Sequence, residues 1–239
     1  MPDVLPGEDV AVLEDRFRFV QAQRGWRFGF DAVMLAKHVL EGPHGDLLEI
    51  GTGCGVVAIL LAGWGWTGKI VAVEIQPALA DRARRNVLAN GVGDAVTIIE
   101  GDARCLPDYL GKAAFRRVVS NPPYWRLGTG RTNPDPERAA ARHELLMNVS
   151  SLLRIARQQL SPDGVASILY PPERMSDVRR AASEEGLVVT GTVDLLGTEG
   201  RPPEVVLLDL QTSSAPQPLQ PSCDLPRNLG RLDTQGSSH

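Results

Sequence analysis

Three glycines at alternate positions, Gly51, Gly53 and Gly55, separate a short apolar run, Leu47-Leu48-Glu49-Ile50, from a longer one, Val56-Val57-Ala58-Ile59-Leu60-Leu61. A buried strand, a tight turn and a buried helix follow from that order. The turn lies where the polar part of a ligand can approach the backbone closely at a helix N-terminus. The spacing departs from the dinucleotide fingerprint G-x-G-x-x-G, because Val56 stands where the last glycine would be, so no pyrophosphate grip is expected.

Strand and helix patterns alternate from there. Lys69 to Glu74 reads as a second buried strand, and Pro77 suits the first turn of a helix running from Ala78 to Asn90, with Gly91 as its stop. Val96 to Ile99 and Phe115 to Ser120 are further strands. Leu145, Val149, Leu152, Leu153, Ala156 and Leu160 recur at helical spacing up to the turn Ser161-Pro162-Asp163-Gly164. Val165 to Tyr170 is a fifth strand, and Asp177 to Gly186 a helix. Strands built of uninterrupted apolar residues point to a parallel sheet covered on both faces. Leu187 to Thr190 and Val205 to Leu210 have no helix between them, and a parallel crossover needs about a dozen residues or more, so they pair antiparallel. The expected fold is α/β: a three-layer α/β/α, Rossmann-like doubly wound sheet, mostly parallel with a C-terminal antiparallel strand. That layout resembles the class I methyltransferases.

A chain of 239 residues, 43% apolar, has material for one substantial core. It is assigned to residues 46–212. Residues 1–45 form an N-terminal cap segment, and 213–239, rich in Pro, Ser and Gln, a disordered tail. Cys54, Cys105 and Cys223 are odd in number and widely spaced, so neither a disulfide framework nor a metal site is expected. The start has no basic and apolar leader, and nothing approaches the ~18 apolar residues of a membrane span. The expectation is a cytoplasmic protein without membrane contact.

Several strand ends carry chemistry. Glu49, at the end of the first strand, suits a cationic amino acid moiety beside the glycine turn. Glu74 ends the next strand, where a carboxylate can accept from both hydroxyls of a ribose. Asp102, followed by Ala103, stands after the third strand, placed to accept from an adenine amino group. Each signal alone can be only a turn or a helix cap; their order along successive strand ends favours S-adenosylmethionine as the cofactor.

The acceptor signal is Asn121-Pro122-Pro123-Tyr124, which closes the fourth strand. The Asn121 side-chain carbonyl and the Pro122 backbone carbonyl can both accept from one exocyclic NH2. Two such acceptors hold the nitrogen and turn its lone pair out of conjugation toward a methyl donor. Proline adds no competing donor and fixes the turn. Tyr124 offers a face for a purine, a stacking contact of ~1–3 kcal/mol.

These motifs, with Arg27-Phe28-Gly29-Phe30-Asp31-Ala32-Val33-Met34-Leu35-Ala36 and Ala141-Arg142-His143-Glu144, resemble the bacterial tRNA (adenine-N6)-methyltransferases that modify the adenosine beside the anticodon of a valine tRNA. The resemblance covers most of Arg16 to Gln211. It implies that the segment before the first strand closes over the cofactor's methionine end, giving Phe28 and Asp31 cofactor-side roles. Asp31 also reads as the N-cap of a helix from Ala32 to Val39. Where the family usually has a small hydroxyl residue, this chain has Phe30.

RNA is the expected partner. Arg16, Arg18, Arg24 and Arg27 outnumber Glu14 and Asp15, and Arg126, Arg131, Arg138 and Arg142 outnumber Asp135 and Glu137, in a chain of net charge −4. Both segments flank the pocket, and Trp26 and Trp125 add stacking faces, as a looped or single-stranded RNA target requires. Pro123, Trp125 and Arg126 belong to the substrate side, with Arg142 for a phosphate and His143 to stack on or hydrogen-bond the substrate; a trio such as Arg142-His143-Glu144 is more often a surface network. Three rival readings share the motifs: methylation of a protein glutamine amide, as in release-factor methyltransferases; guanine-N2 methylation of ribosomal RNA, by enzymes that typically duplicate the domain; and a non-catalytic S-adenosylmethionine-binding RNA assembly factor. Release-factor enzymes carry a longer helical domain before the sheet, whereas here about 45 residues precede it.

Overall fold

The computed structural model describes residues 2–24, 27–106, 110, 115–122, 148–195 and 205–213. A hairpin opens the chain: β1 (Glu8–Leu13) and β2 (Phe17–Ala22) pair antiparallel, with Leu13 opposite Phe17. Helix α1 (Phe30–Glu41) follows, and then the sheet begins with β3 (Leu47–Ile50). After it come α2 (Val56–Gly63), β4 (Ile70–Glu74), α3 (Pro77–Ala89), β5 (Val96–Glu100) and β6 (Phe115–Ser120). The remainder is α4 (Val149–Gln159), β7 (Leu160–Tyr170), α5 (Met175–Glu184), β8 (Leu187–Leu195) and β9 (Val205–Thr212).

The seven strands of the main sheet lie in the order β5-β4-β3-β6-β7-β9-β8. β3 pairs parallel with β4 and β6, β4 with β5, and β6 with β7; β9 runs antiparallel to both β7 and β8. The expected class I layout is therefore present. From β3 the chain moves outward through β4 and β5, then returns to build β6 on the other flank. Such a reversal opens a crevice at the carboxyl ends of the strands, where α/β folds bind ligands.

Each face of the sheet has its own core. Leu47 lies in the cluster formed with α1, α2 and the hairpin, whereas Leu48 and Ile50 lie in the cluster formed with α4 and α5. That split follows from the two-residue period of a strand. Val56 to Leu61 are all buried, so α2 has no polar face and can exist only as an inner helix. Fully burying one such Leu or Ile contributes roughly 1.5–3 kcal/mol.

Several boundaries differ from the sequence expectation: α5 starts and ends two residues earlier than expected, and β8 runs on to Leu195. α1 starts at Phe30 with Gly29 at the N-cap and no side-chain cap bond, so Asp31 sits in the first turn and is not the cap of a helix beginning at Ala32. The turn Ser161 to Gly164 falls inside β7, as an irregularity: Leu160 pairs with Phe115, and pairing resumes between Val165 and Arg117. The start of the helix expected from Leu145 lies outside the described residues, which enter it at Asn148, whose side chain accepts from Ser151 N at 2.8 Å.

The hairpin is bound to α3 by asparagines. Asn86 Oδ1 accepts from Val20 N at 2.7 Å and its Nδ2 donates to Val20 O at 3.1 Å. One turn later, Asn90 repeats this with the main chain of Arg18, at 2.9 and 2.7 Å. Together they satisfy the edge of β2 that faces away from β1, an edge otherwise open to pairing with another chain. Glu8 adds an ionic clamp, accepting from Arg82 Nε and Arg85 Nη2, each at 2.8 Å, and the arginines hold its carboxyl down at about 2.

Candidate active site

The glycine turn is held inward by its own strand ends. Gly51, Gly53 and Gly55 have φ of 72°, 61° and 87°. This left-handed region costs other residues roughly 1–2 kcal/mol. Gly51 N and Thr52 N both donate to Val73 O, at 2.9 and 3.1 Å, tying the turn to β4. A Cβ at Gly51 would meet nothing within 4 Å. The turn thus presents bare backbone to open space at the carboxyl end of β3.

Two buried carboxylates stand behind it. Glu74 Oε2 accepts from Gly53 N at 2.8 Å and Oε1 from Gln76 N at 2.9 Å. One bond to each oxygen fixes the group and leaves about two of its four acceptor sites, as many as a ribose has vicinal hydroxyls. Burial raises its pKa above the ordinary value. Glu49 shares the β3 face with Leu47 and looks toward α2: its Oε2 accepts from Thr52 Oγ1 at 2.8 Å and from Ala58 N at 3.1 Å. Burial pushes its pKa up to about 8, against the pull of those two bonds. The turn's backbone, its open front and two carboxylates fit a cationic ligand that carries a ribose.

Asp102 follows β5, half-buried. Its carboxylate lies against Arg104, with Arg104 Nε donating at 2.9 and 2.8 Å to the two oxygens and Arg104 N at 2.9 Å to Oδ1. Arg104 holds its pKa below the usual range. Ala103 beside it is buried. Asp102 is therefore engaged from one side by its own loop.

On the other flank of β3, Ser120 ends β6 opposite Ile50, and its Oγ donates to Ile50 O at 2.9 Å. Asn121 and Pro122 follow immediately, so the sheet sets the acceptor motif beside the glycine turn. Asn121 Nδ2 donates to Asp31 Oδ2 at 3.2 Å. The N-terminal segment thus reaches the strand end through the first turn of α1. Phe28 is half-buried, its ring edge-on to Phe19 with centroids 5.3 Å apart. Farther along α1, His38 Nε2 lies 2.7 Å from Asp209 Oδ2 on β9, and Ser167 Oγ on β7 donates to Asp209 Oδ1 at 2.5 Å.

Pro123, Tyr124, Trp125, Arg126, Arg142 and His143 lie outside the described residues, as do Trp26 and residues 214–239. Of the N-terminal arginines, Arg27 is paired with Asp9 at 2.6 Å and Arg16 with Glu14 at 3.5 Å. Asn86 was not singled out by the sequence, yet besides Val20 it donates to Cys54 O, inside the glycine turn, at 2.9 Å. Its buried position amid the apolar spacing of α3 was the available signal. No helix among the described residues is long and apolar enough to cross a membrane.

A model of the methyltransferase domain matches residues 47–146. The chain is 31% identical over 198 residues to a protein of Porphyromonas gingivalis named tRNA1(Val) (adenine(37)-N6)-methyltransferase, covering 80% of this chain and 77% of that one. A protein of the same name from Shewanella amazonensis is 34% identical over 178 residues, covering 74% and 75%. Among solved structures, TrmN from Thermus thermophilus superposes with a TM-score of 0.56 at 22% identity, over 76% of this chain and 48% of that one. SMU.776 in complex with SAH gives 0.65 at 11% identity, over 88% and 57%.

The sheet order is that of a class I methyltransferase, and the chain is an S-adenosylmethionine-dependent N-methyltransferase. Within that class, the chain belongs to the tRNA1(Val) (adenine(37)-N6)-methyltransferase family.

Proposed function

We propose that this protein transfers a methyl group from S-adenosylmethionine to N6 of an exposed adenosine in tRNA, and that the adenosine is the one its relatives are named for, adenine 37 of a valine tRNA. The carrying observation is the placing of Asn121 directly after β6, whose last residue bonds the end of β3, with the glycine turn next along.

S-adenosylmethionine supplies an electrophilic methyl group on a sulfonium centre. The rest is done by the chain. Gly51 leaves room for the ligand, while Gly53 and Gly55 let the turn take its left-handed course, with Gly55 packed close to α3. Glu49 lends negative charge once ionised beside the cation, Glu74 takes the ribose hydroxyls, and Asp102 with Ala103 borders the adenine end. On the acceptor side, the carbonyls of Asn121 and Pro122 hold the exocyclic amine. No strong base is needed, since the nitrogen becomes acidic once alkylated. Catalysis is then mostly alignment. Pro123, Tyr124, Trp125, Arg126, Arg142 and His143 are assigned to the RNA side on the sequence pattern. The contact between Asp31 and Asn121 supports reading residues 1–45 as a cap over a domain at 46–212.

The test is incubation with radiolabelled S-adenosylmethionine and unmodified bulk tRNA, followed by digestion and identification of the labelled nucleoside. N6-methyladenosine is the expected product. Label absent from RNA but present in an added release factor would replace this reading with glutamine methylation.

A further inference from the structure

Asparagine is a poor choice for a group that must accept a hydrogen bond, unless something prevents it from turning over. Its carbonyl and amino ends have nearly the same shape, and rotation about the last side-chain bond exchanges them. One end accepts and the other donates. A flipped Asn121 would present N–H to the N–H of an adenine, and the acceptor would be repelled.

The described contacts contain a device against that exchange. Asp31 Oδ2 lies 3.2 Å from Asn121 Nδ2. A carboxylate can only accept, so it binds the amino end of the amide and rejects the carbonyl. Asp31 itself is held. It lies in the first turn of α1, where the helix dipole favours negative charge. Its Oδ1 lies over Gly29, where a Cβ would stand only 2.5 Å away. The backbone of Gly29 is extended, at φ −109°, and open to any residue, so the glycine serves that space and not the turn. α1 in turn is fastened to the sheet by His38 and Asp209.

We propose that Asp31 is a positioning residue that fixes the flip state of the Asn121 amide, so that its carbonyl and not its amino group meets the exocyclic amine of the substrate. The inference rests on the proposed adenine-N6 reading and adds the residue that sets its polarity. Asp31 then acts on the acceptor motif through Asn121, which differs from the cofactor-side role implied by resemblance.

The test combines turnover on tRNA, cofactor dissociation constants from calorimetry, and the side-chain amide signals of Asn121 in proton–nitrogen spectra, identified by their loss in Asn121→Ala. Asp31→Ala is expected to lower kcat about 10²-fold, as a misplaced group does, with cofactor affinity unchanged and the Asn121 amide signals moved. Combined with Asn121→Ala, it should cost no more than Asn121→Ala alone, because both remove one unit. Asp31→Asn presents either a carbonyl or an amino end to Asn121, so it no longer selects the flip state and should also lose turnover. Gly29→Ala, which leaves the carboxylate present but displaced, is expected to follow Asp31→Ala and covers the case in which that variant folds badly.

Additive losses in the double variant would overturn the proposal, as would an effect confined to cofactor affinity, or wild-type turnover in Asp31→Asn. Unmoved amide signals in Asp31→Ala would do the same. Wild-type protein that modifies no tRNA would instead remove the adenine reading, while the amide signals would still decide whether Asp31 holds Asn121.

Discussion

Asn86 on α3 donates to the carbonyl of Cys54 in the glycine turn while gripping both main-chain groups of Val20 on β2. One fully buried side chain therefore joins the hairpin, a helix and the glycine turn. Asn86→Ala orphans three backbone groups, at roughly 1–3 kcal/mol for each that water cannot reach. We expect a fall of several degrees in melting temperature and weaker cofactor binding together. Asn90→Ala, at a half-buried position, should lower the melting temperature less and leave cofactor affinity alone; calorimetry on both variants checks the contrast.

Asn121→Ala should leave cofactor affinity nearly intact and cut kcat by at least about 10²-fold, since only alignment in the transition state is lost. Single-turnover kinetics on tRNA measure it. Wild-type turnover would remove Asn121 from the acceptor site.

Glu74→Gln keeps the size of the side chain and an acceptor for Gly53 N, but loses the charge behind the ribose bonds. Hydrogen bonds to charged groups contribute about 1.5–3 kcal/mol, so the dissociation constant should rise by about tenfold or more. An unchanged constant would remove the ribose role.

Glu49 makes the protein sensitive to alkali. Its pKa in the folded state is about 8, against an ordinary 4.5, so between those values the folded protein binds a proton that the unfolded chain does not. Stability from this group therefore falls as pH rises through that window. Melting curves of the ligand-free protein should show that decline, and Glu49→Gln should reduce it, leaving the part that the buried Glu74 contributes with the same sign. A cation bound beside Glu49 favours the ionised form, so cofactor binding near neutral pH should release a proton. Calorimetry in buffers of different ionisation enthalpy reads that release directly.

The strands from β3 onward were legible because each is a short apolar run closed by Gly, Pro or a turn. The hairpin was not. Its turn uses Glu14 and Asp15, both with positive φ, in place of the Asn-Gly or Asp-Gly pairs that mark such turns in a sequence. What steadies it is Asn86 and Asn90, far along the chain. The carboxylates at strand ends were legible as types and positions. Their partners were only partly so: Arg104 is a neighbour of Asp102, whereas Asp31 and Asn121 are 90 residues apart. Nor does any local pattern say that β9 enters between β7 and β8, since pairing order belongs to the whole sheet.

That late insertion has a consequence for synthesis. β8 leaves the ribosome before β9, yet it has no sheet partner until β9 arrives, and β7 keeps an open edge for the same interval. Asp209, which receives His38 from α1, is carried on β9 as well. The last turn of α1 thus gains this tie only once β9 has been made. A nascent protein that stops short of β9 has a glycine turn and an Asn-Pro-Pro motif, but its α1 is held by apolar packing without the His38 tie to the sheet. The last pairing of the sheet also joins α1 to it by a polar side-chain bond.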